Sequence, residues 1–417
     1  MKKNIWIWNH YATNMFKNQG GRHYWFAENL IKQGYIATIF CASTSHNSAD
    51  NIETGVKKYV ANTINGIPFV FVKASPYQGN GLQRIRNMIV FFKNLFPVAK
   101  EYAKSNGKPD IILASSVHPL TLVAGIKIAK KFGVPCICEV RDLWPESIVA
   151  YGALKKRSMI AKILYQGEKW IYKEADSVIM TMEGGKDYIV EHGWDKDINL
   201  NKVHHINNGV DLEAFNYNKE CFTIDDSDLT DENAFKVIYA GSIRLVNEVG
   251  TLLDVAKVLK DRGIDDVKFL VYGDGDQSEE LKQRIIDEEL SNVKFKGRVE
   301  KKFIPYITSK SDLNIILGKS LPLYRFGVSA NKLFDYIVSG KPILTTFKVG
   351  YSLISKYSIG SELDTGDAHE IAEKIIQFRN LPDKEYKAYC RNAAKAAQDY
   401  DFKVLTFKLI GIIEQLN

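Results

Sequence analysis

The chemistry this chain could do is concentrated at the ends of its β-rich runs. Beyond the first run comes Asn18-Gln19-Gly20-Gly21-Arg22-His23. Paired glycines such as Gly20 and Gly21 let backbone N–H groups approach a ligand, and a helix start favours an anion. A flexible turn would read the same way. The stretch is not a G-x-G-x-x-G fingerprint, which argues against a dinucleotide dehydrogenase. Ser115-Ser116-Val117-His118-Pro119 sets a histidine at a later run's end, placed for a cleft or for an ordinary structural role. Glu139-Val140-Arg141-Asp142-Leu143-Trp144-Pro145-Glu146-Ser147 combines charge, an indole and a proline. Such a group suits sugar-like hydroxyls over an aromatic platform, and equally an internal ion pair.

The second half repeats the pattern. Tyr239-Ala240-Gly241-Ser242-Ile243-Arg244 ends a run with glycine, hydroxyl and cation, a set suited to phosphate. Tyr272-Gly273-Asp274-Gly275 ends the next, with glycines for a ligand or only for a turn, and Lys296-Gly297-Arg298-Val299-Glu300 the one after. In Ser329-Ala330-Asn331-Lys332-Leu333-Phe334-Asp335 a lysine sits in the first turn of a helix, where the dipole already favours anions. This predicts that the helix start binds a diphosphate, that Lys332 and Arg244 add charge, and that Asp335 holds a ribose.

These residues need elements to position them. Strands are predicted at 4–9, 35–42, 69–73, 110–115, 134–141 and 177–181, alternating with helices at 21–33, 82–105, 120–132, 156–174 and 184–192. A second series has strands at 236–240, 267–272, 292–296, 313–317 and 342–346, with helices at 249–262, 278–290, 303–309, 331–339 and 368–379. Alternation of this kind predicts parallel α/β sheets. The polar, acidic stretch 212–233 reads as a linker. The expected architecture is two Rossmann-like, doubly wound domains, 1–210 and 211–395, facing each other across a cleft. A last helix, 396–417, returns to the first domain.

With 417 residues the chain is too long for one ordinary core. It has no apolar run of about 18 residues, so no span of a membrane is expected, and its N-terminus reads as a first strand and not as a signal peptide. Five scattered cysteines, without a C-x-x-C pair, predict buried thiols, no zinc site and a reducing cytoplasm. The net charge of +7 is unevenly spread. Between Thr54 and Lys100 no acidic residue occurs, while Lys57, Lys58, Lys73, Arg84, Arg86, Lys93 and Lys100 all fall there. In 81–96, Ile85, Met88, Ile89, Phe92 and Phe96 recur at helical spacing beside Arg84, Arg86 and Lys93. A second basic helix runs from Lys155-Lys156-Arg157 to Lys173. The pattern predicts peripheral contact with an anionic inner membrane, or else a core-facing helix with a solvated side. No recognition motif for nucleic acid accompanies the charge.

The chain resembles the retaining glycosyltransferases of the GT-B fold, family 4, over nearly its whole length. The resemblance rests on Gly20-Gly21, His118, Asn207-Asn208-Gly209-Val210-Asp211, Gly273-Asp274-Gly275, Gly297-Arg298-Val299 and the stretch 331–342. Glu139 to Ser147 is similar to bacterial O-antigen and capsule enzymes of the L-fucosamine transferase type, which use UDP-linked acetamido sugars. The resemblance implies that His118 touches the donor sugar, with Arg141 and Asp142 beside it as further catalytic candidates. Gly241, Ser242 and Arg244 would lie against the diphosphate, Arg298 and Val299 beside the base, and Ser329, Asn331, Lys332 and Leu333 at the helix start. Asp335 falls where the second glutamate of the E-x7-E motif stands. The first would fall at Gly327, and Asn247-Glu248 occupy the place of the usual lysine, so Arg244 and Lys332 substitute. No cofactor and no metal are expected. The acceptor would be a polyprenyl-diphosphate-linked or oligosaccharide molecule, at the inner face of the cytoplasmic membrane. A sugar-nucleotide epimerase or hydrolase, or a silent nucleotide-sugar-binding partner, is the alternative.

Overall fold

The computed structural model describes residues 3–45, 50–79 and 81–416. The chain divides into two compact units. One runs to Asn207 and resumes at Phe402; the other is Asn208–Asp401. The expected boundaries were 210/211 and 395/396. Residues 396–401 belong to the second unit because Ala396, Ala397 and Tyr400 are buried in its core.

The first unit is built on strands β1 (Asn4–Trp8), β2 (Ile36–Ala42), β3 (Tyr59–Ile64), β4 (Ile67–Val72), β5 (Ile111–Ser115), β6 (Cys136–Val140), β7 (Ser177–Met180) and β8 (Val203–His205). Its helices in this part of the chain are α1 (Thr13–Asn18), α2 (Arg22–Lys32), α3 (Leu82–Asn106), α4 (Pro119–Phe132), α5 (Glu146–Ala150), α6 (Met159–Glu174) and α7 (Gly185–Glu191). The sheet order is β3-β4-β2-β1-β5-β6-β7-β8, parallel except for the β3–β4 hairpin. Strand β1 is apolar at every position but its first, as a parallel strand covered on both faces must be. Ile5 and Ile7 pack on the α2 side. Trp6 points the other way, its ring 5.6 Å from Tyr102 of α3 and 5.8 Å from Phe132 of α4. The order reverses between β1 and β5, so the loops after these two strands flank the switch point where such sheets bind ligands.

The second unit has strands β9 (Phe235–Ala240), β10 (Val267–Tyr272), β11 (Val293–Gly297), β12 (Leu313–Ile316), β13 (Ile343–Thr345) and β14 (Gly360–Glu362). Its helices are α8 (Leu212–Cys221), α9 (Ser227–Thr230), α10 (Gly250–Asp261), α11 (Ser278–Asp287), α12 (Ile304–Ser309), α13 (Asn331–Ser339), α14 (Leu353–Tyr357), α15 (Ala368–Arg379) and α16 (Asp383–Asp399). The order β11-β10-β9-β12-β13-β14 is parallel throughout and switches between β9 and β12. Along β9, Val237 and Tyr239 enter the core under α10 and α15, while Ile238 and Ala240 enter the core under α12, α13 and α16. The chain then crosses back, and α17 (Phe402–Gln415) lays Leu405, Leu409, Ile412 and Ile413 into the first core against α2.

Residues 212–233 are not a linker. Phe215 and Leu229 are buried, and Asp226 and Asp228 hold Lys296, at 2.8 Å for Asp226. Two carboxylates of the acidic run are thus the counter-charge of one lysine. Strand β3 also escaped the sequence pattern, although the turn Asn65-Gly66, with φ of 49° and 78°, is the usual residue pair of a type I′ hairpin. Cys41, Cys136 and Cys138 are buried as expected, but Cys221 is exposed at the end of α8.

Candidate active site

In the first unit, the loops after β1, β5 and β6 enclose a buried polar network. Glu139, at the end of β6, accepts from Arg22 Nε at 2.8 Å, from the Ser115 hydroxyl at 2.7 Å and from His23 Nε2 at 2.7 Å. Arg22 also donates to the backbone oxygens of Ile206 and Asn207. Burial opposes ionisation of Glu139, yet the Arg22 guanidinium and His23 hold its carboxyl well below the usual range. Burial lowers the His23 imidazole, so it stays neutral. The Asn9 oxygen accepts from the Tyr11 N–H, which leaves its amide to donate to His23 Nδ1 at 2.8 Å. His23 is therefore the Nε2–H tautomer. The charge and proline cluster that begins with Glu139 thus contains an internal ion pair.

A second relay leads to His118, the residue that caps α4. The Asn87 amide donates to Thr44 Oγ1 at 2.9 Å and to the Ser75 carbonyl at 2.5 Å, so its oxygen faces His10 Nε2 at 2.7 Å. His10 must then carry its proton on Nε2 and accept through Nδ1 from His118 Nε2, 2.7 Å away. His118 is left with a bare Nδ1, buried and without a hydrogen-bond partner among the described residues. Burial, and then the charge of Arg84, push the His118 pKa down to about 3. A buried acceptor without a donor is disfavoured, and a ligand hydroxyl is the group that would satisfy it. His10 and Asn87 escaped the sequence reading, since 77 and 108 residues separate the partners along the chain. The only signal was that Asn9 and His10 directly end an apolar strand.

The other first-unit candidates divide. Gly21 has φ 115°, and a Cβ there would meet Met15 at 3.0 Å, so glycine is required to start α2. Gly20 has room beside Trp25. Arg141 is bound through its backbone, its N–H donating to Ser116 Oγ, and its side chain makes no ion pair among the described residues. Asp142 is exposed.

In the second unit the phosphate candidates converge on one lysine. The Lys332 ammonium donates to Tyr239 Oη at 3.1 Å and lies 4.5 Å from the centre of that ring. Tyr239 Oη in turn donates to the Ser242 carbonyl at 2.7 Å. A Cβ on Gly241 would stand 3.0 Å from Lys332 Nζ and would crowd the amine, which glycine leaves open. Burial lowers the Lys332 pKa to about 8. No side chain caps α13. The arrangement presents a desolvated cation beside a helix start without a side-chain cap, at the carboxyl edge of β9. Ser242 shares the amide of Asn247.

Several candidates prove to be built into the scaffold. Ser329 Oγ accepts from the Asn208 N–H at 3.1 Å, and Asn331 Oδ1 accepts from the Asn208 amide. This explains the Asn208–Asp211 motif: it buttresses the start of α13, and Asp211 caps α8. The Leu333 side chain is core, so it can offer a ligand only backbone. Gly273 and Gly275 are required by close packing, since Cβ atoms there would lie 1.8 Å from the Gly241 carbonyl oxygen and 2.0 Å from that of Ile243. Arg244 and Arg298 are exposed, and no contact joins either to Lys332. Val299 packs against the second core. Asp335 is partly buried, and burial raises its pKa.

Residues 24–214 match the profile described as Glycosyltransferase Family 4, and residues 222–397 match Glycosyl transferases group 1. Sucrose-phosphate synthase from Thermosynechococcus elongatus superposes with a TM-score of 0.71 at 15% identity, over 100% of this chain and 99% of that one. The chain has the GT-B fold. Another GT-B neighbour, Anabaena Alr3699/HepE solved with UDP-glucose, gives 0.66 at 16% identity over 99% of this chain and 100% of its own. Among curated proteins, the teichuronic acid biosynthesis glycosyltransferase TuaH of Bacillus subtilis is 28% identical over 275 residues, 64% of each chain. The glycosyltransferase WbjE of Pseudomonas aeruginosa is 20% identical over 281 residues, 65% of this chain and 66% of that one. The chain thus spans just under two thirds of the curated relatives it matches.

Proposed function

We propose that this GT-B chain is a retaining glycosyltransferase of surface polysaccharide biosynthesis, moving an N-acetylamino sugar from a UDP-sugar to a lipid-linked or oligosaccharide acceptor. The observation that carries the reading is Lys332, held over Gly241 at the uncapped start of α13. A diphosphate placed there receives a charge-assisted bond from the amine and N–H groups from the helix. Asp335, one turn on, is the ribose partner. The UDP and UDP-glucose complexes of the HepE neighbour support the donor class, the name of TuaH supports the pathway, and that of WbjE supports glycosyl transfer.

In the first unit, His118 Nδ1 accepts from a hydroxyl of the donor sugar, with its tautomer set by His10 and Asn87. Catalysis is electrostatic: the cationic site stabilises the departing diphosphate, and a leaving phosphate oxygen takes the proton of the acceptor hydroxyl on the same face of the sugar. Among the described residues no group of three His, Cys, Asp or Glu is placed to hold a metal, and the reading uses protein cations alone. The enzyme acts as a peripheral protein on the inner face of the cytoplasmic membrane. No helix among the described residues is long and apolar enough to cross one. Part of the basic surface is committed elsewhere, since Arg84 donates to Tyr11 Oη at 2.9 Å. Leu82, Ile85 and Ile89 of α3 are exposed beside Arg86 and Lys93.

The test is nucleotide release from a panel of nucleotide sugars, with and without acceptor extract, and with EDTA. Release that needs acceptor and survives EDTA is expected. Release without acceptor would mean an epimerase or hydrolase, and tight binding without release a silent binding protein.

A further inference from the structure

A groove of about 390 Å³ opens between α4 and α6 in the first unit, with Pro119, the neighbour of His118, at its lining. Its walls are Leu120, Val123, Trp144, Ile163, Leu164 and Trp170. Gly167 lines it too, and a Cβ there would meet nothing within 4 Å, so the groove passes over an open backbone. The carboxyl at its edge, Glu168, is buried and takes hydrogen bonds from Tyr172 and Tyr188. Burial raises its pKa to about 8, so it brings no full charge to the wall at neutral pH.

The surroundings say what fits. Met159, Ile160 and Ile163, on the first turns of α6, are 71, 62 and 63% exposed. The segment Lys155-Lys156-Arg157-Ser158-Met159-Ile160-Ala161-Lys162-Ile163 interleaves them with four cations and no carboxylate. Lys155, Arg157, Lys162 and the groove-lining Lys127 make no ion pair among the described residues, whereas Lys169 and Lys173 are taken up by Asp197. Helix α3 packs beside α4 in the same layer, with its own exposed apolar residues at its start. Protein interfaces are depleted of lysine at their cores. An anionic bilayer attracts each nearby lysine or arginine and takes up apolar side chains.

We infer that the start of α6 docks on an anionic bilayer and that one hydrocarbon chain of an anionic phospholipid enters the α4–α6 groove. The inference rests on the peripheral-membrane reading above and adds a specific lipid site to it.

The experiment is flotation of the full chain with phosphatidylcholine vesicles, with or without phosphatidylglycerol, combined with quenching of tryptophan fluorescence by brominated acyl chains. Wild type should float only with phosphatidylglycerol, at low salt, and Trp144 and Trp170 should be quenched. Gly167→Leu fills the groove, adds no charge and favours helix; it should weaken binding roughly tenfold and abolish the quenching. Ile163→Gln, at a position 63% exposed and therefore outside the core, should act in the same direction. If both variants float and quench like wild type, the groove is not a lipid site, although membrane contact stands. If wild type fails to float on anionic vesicles at low salt, both ideas fall.

Discussion

Lys332 shows how a single side chain can be prepared for an anion. Its amine is partly withdrawn from water against Tyr239, which lowers its pKa to about 8. A diphosphate beside it would restore the charged form. Binding of UDP near pH 8 should therefore take up protons, seen in calorimetry as a heat that varies with the ionisation enthalpy of the buffer. Lys332→Ala should lose about 1.5–3 kcal/mol of UDP affinity and this proton uptake together, and an unchanged affinity would place the diphosphate elsewhere. The histidines of the first unit are prepared differently. His118 stays neutral in the folded chain down to about pH 3, whereas an unfolded histidine binds a proton near pH 6.5. Between these values the unfolded state holds more protons, so stability falls as pH falls, by up to about 1.4 kcal/mol per pH unit for this group. His118→Gln should flatten acid unfolding in that range. Asn87→Leu should release the tautomers, visible in the ring-nitrogen NMR signals of His10 and His118, and should lower turnover more than UDP affinity. The sequence singled out Lys332 by its place in the first turn of a helix and His118 by its place after a β-rich run. Glu139 with Arg22 and His23, and His118 with His10, could not be paired, since only the folded sheet brings them together.

At the level of elements, the positions of most helices and strands followed from apolar periodicity, whereas the two switch points emerged only with the sheet orders. The pattern failed where structure depends on a turn or on counter-charge. Strand β3 is half-polar and lies at the sheet edge, paired through an Asn-Gly turn. The acidic stretch after α8 is ordered by Lys296. The glycines after β10 carry a further lesson, because they resemble ligand-binding glycines and act first as spacers. The loop after β9 lies so close to them that Gly273→Ala or Gly275→Ala must push the Gly241 or Ile243 carbonyl aside. Each should destabilise the second unit by about 1–3 kcal/mol in urea denaturation and displace Gly241 beneath Lys332. A variant with unchanged stability would show that the two loops are not packed as described.

At the level of the whole molecule, the first unit is made of two pieces of chain. Helix α17 supplies Phe402, Leu405, Leu409, Ile412 and Ile413 to a core otherwise built before residue 208. Leu409→Ala should therefore cost about 2–5 kcal/mol, and the loss should appear in an unfolding transition of the first unit, not the second. That helix also sets an order of events in the cell. A ribosome releases β1 to β8 first, yet their sheet lacks a wall until the chain beyond residue 401 has emerged. At 5–20 residues per second the wait is roughly 10–40 s, and the second unit, whose last residue is Asp401, is completed just before it ends. The segment born first is completed last, and until then the isoleucine-rich face of its sheet lacks the apolar side chains of α17.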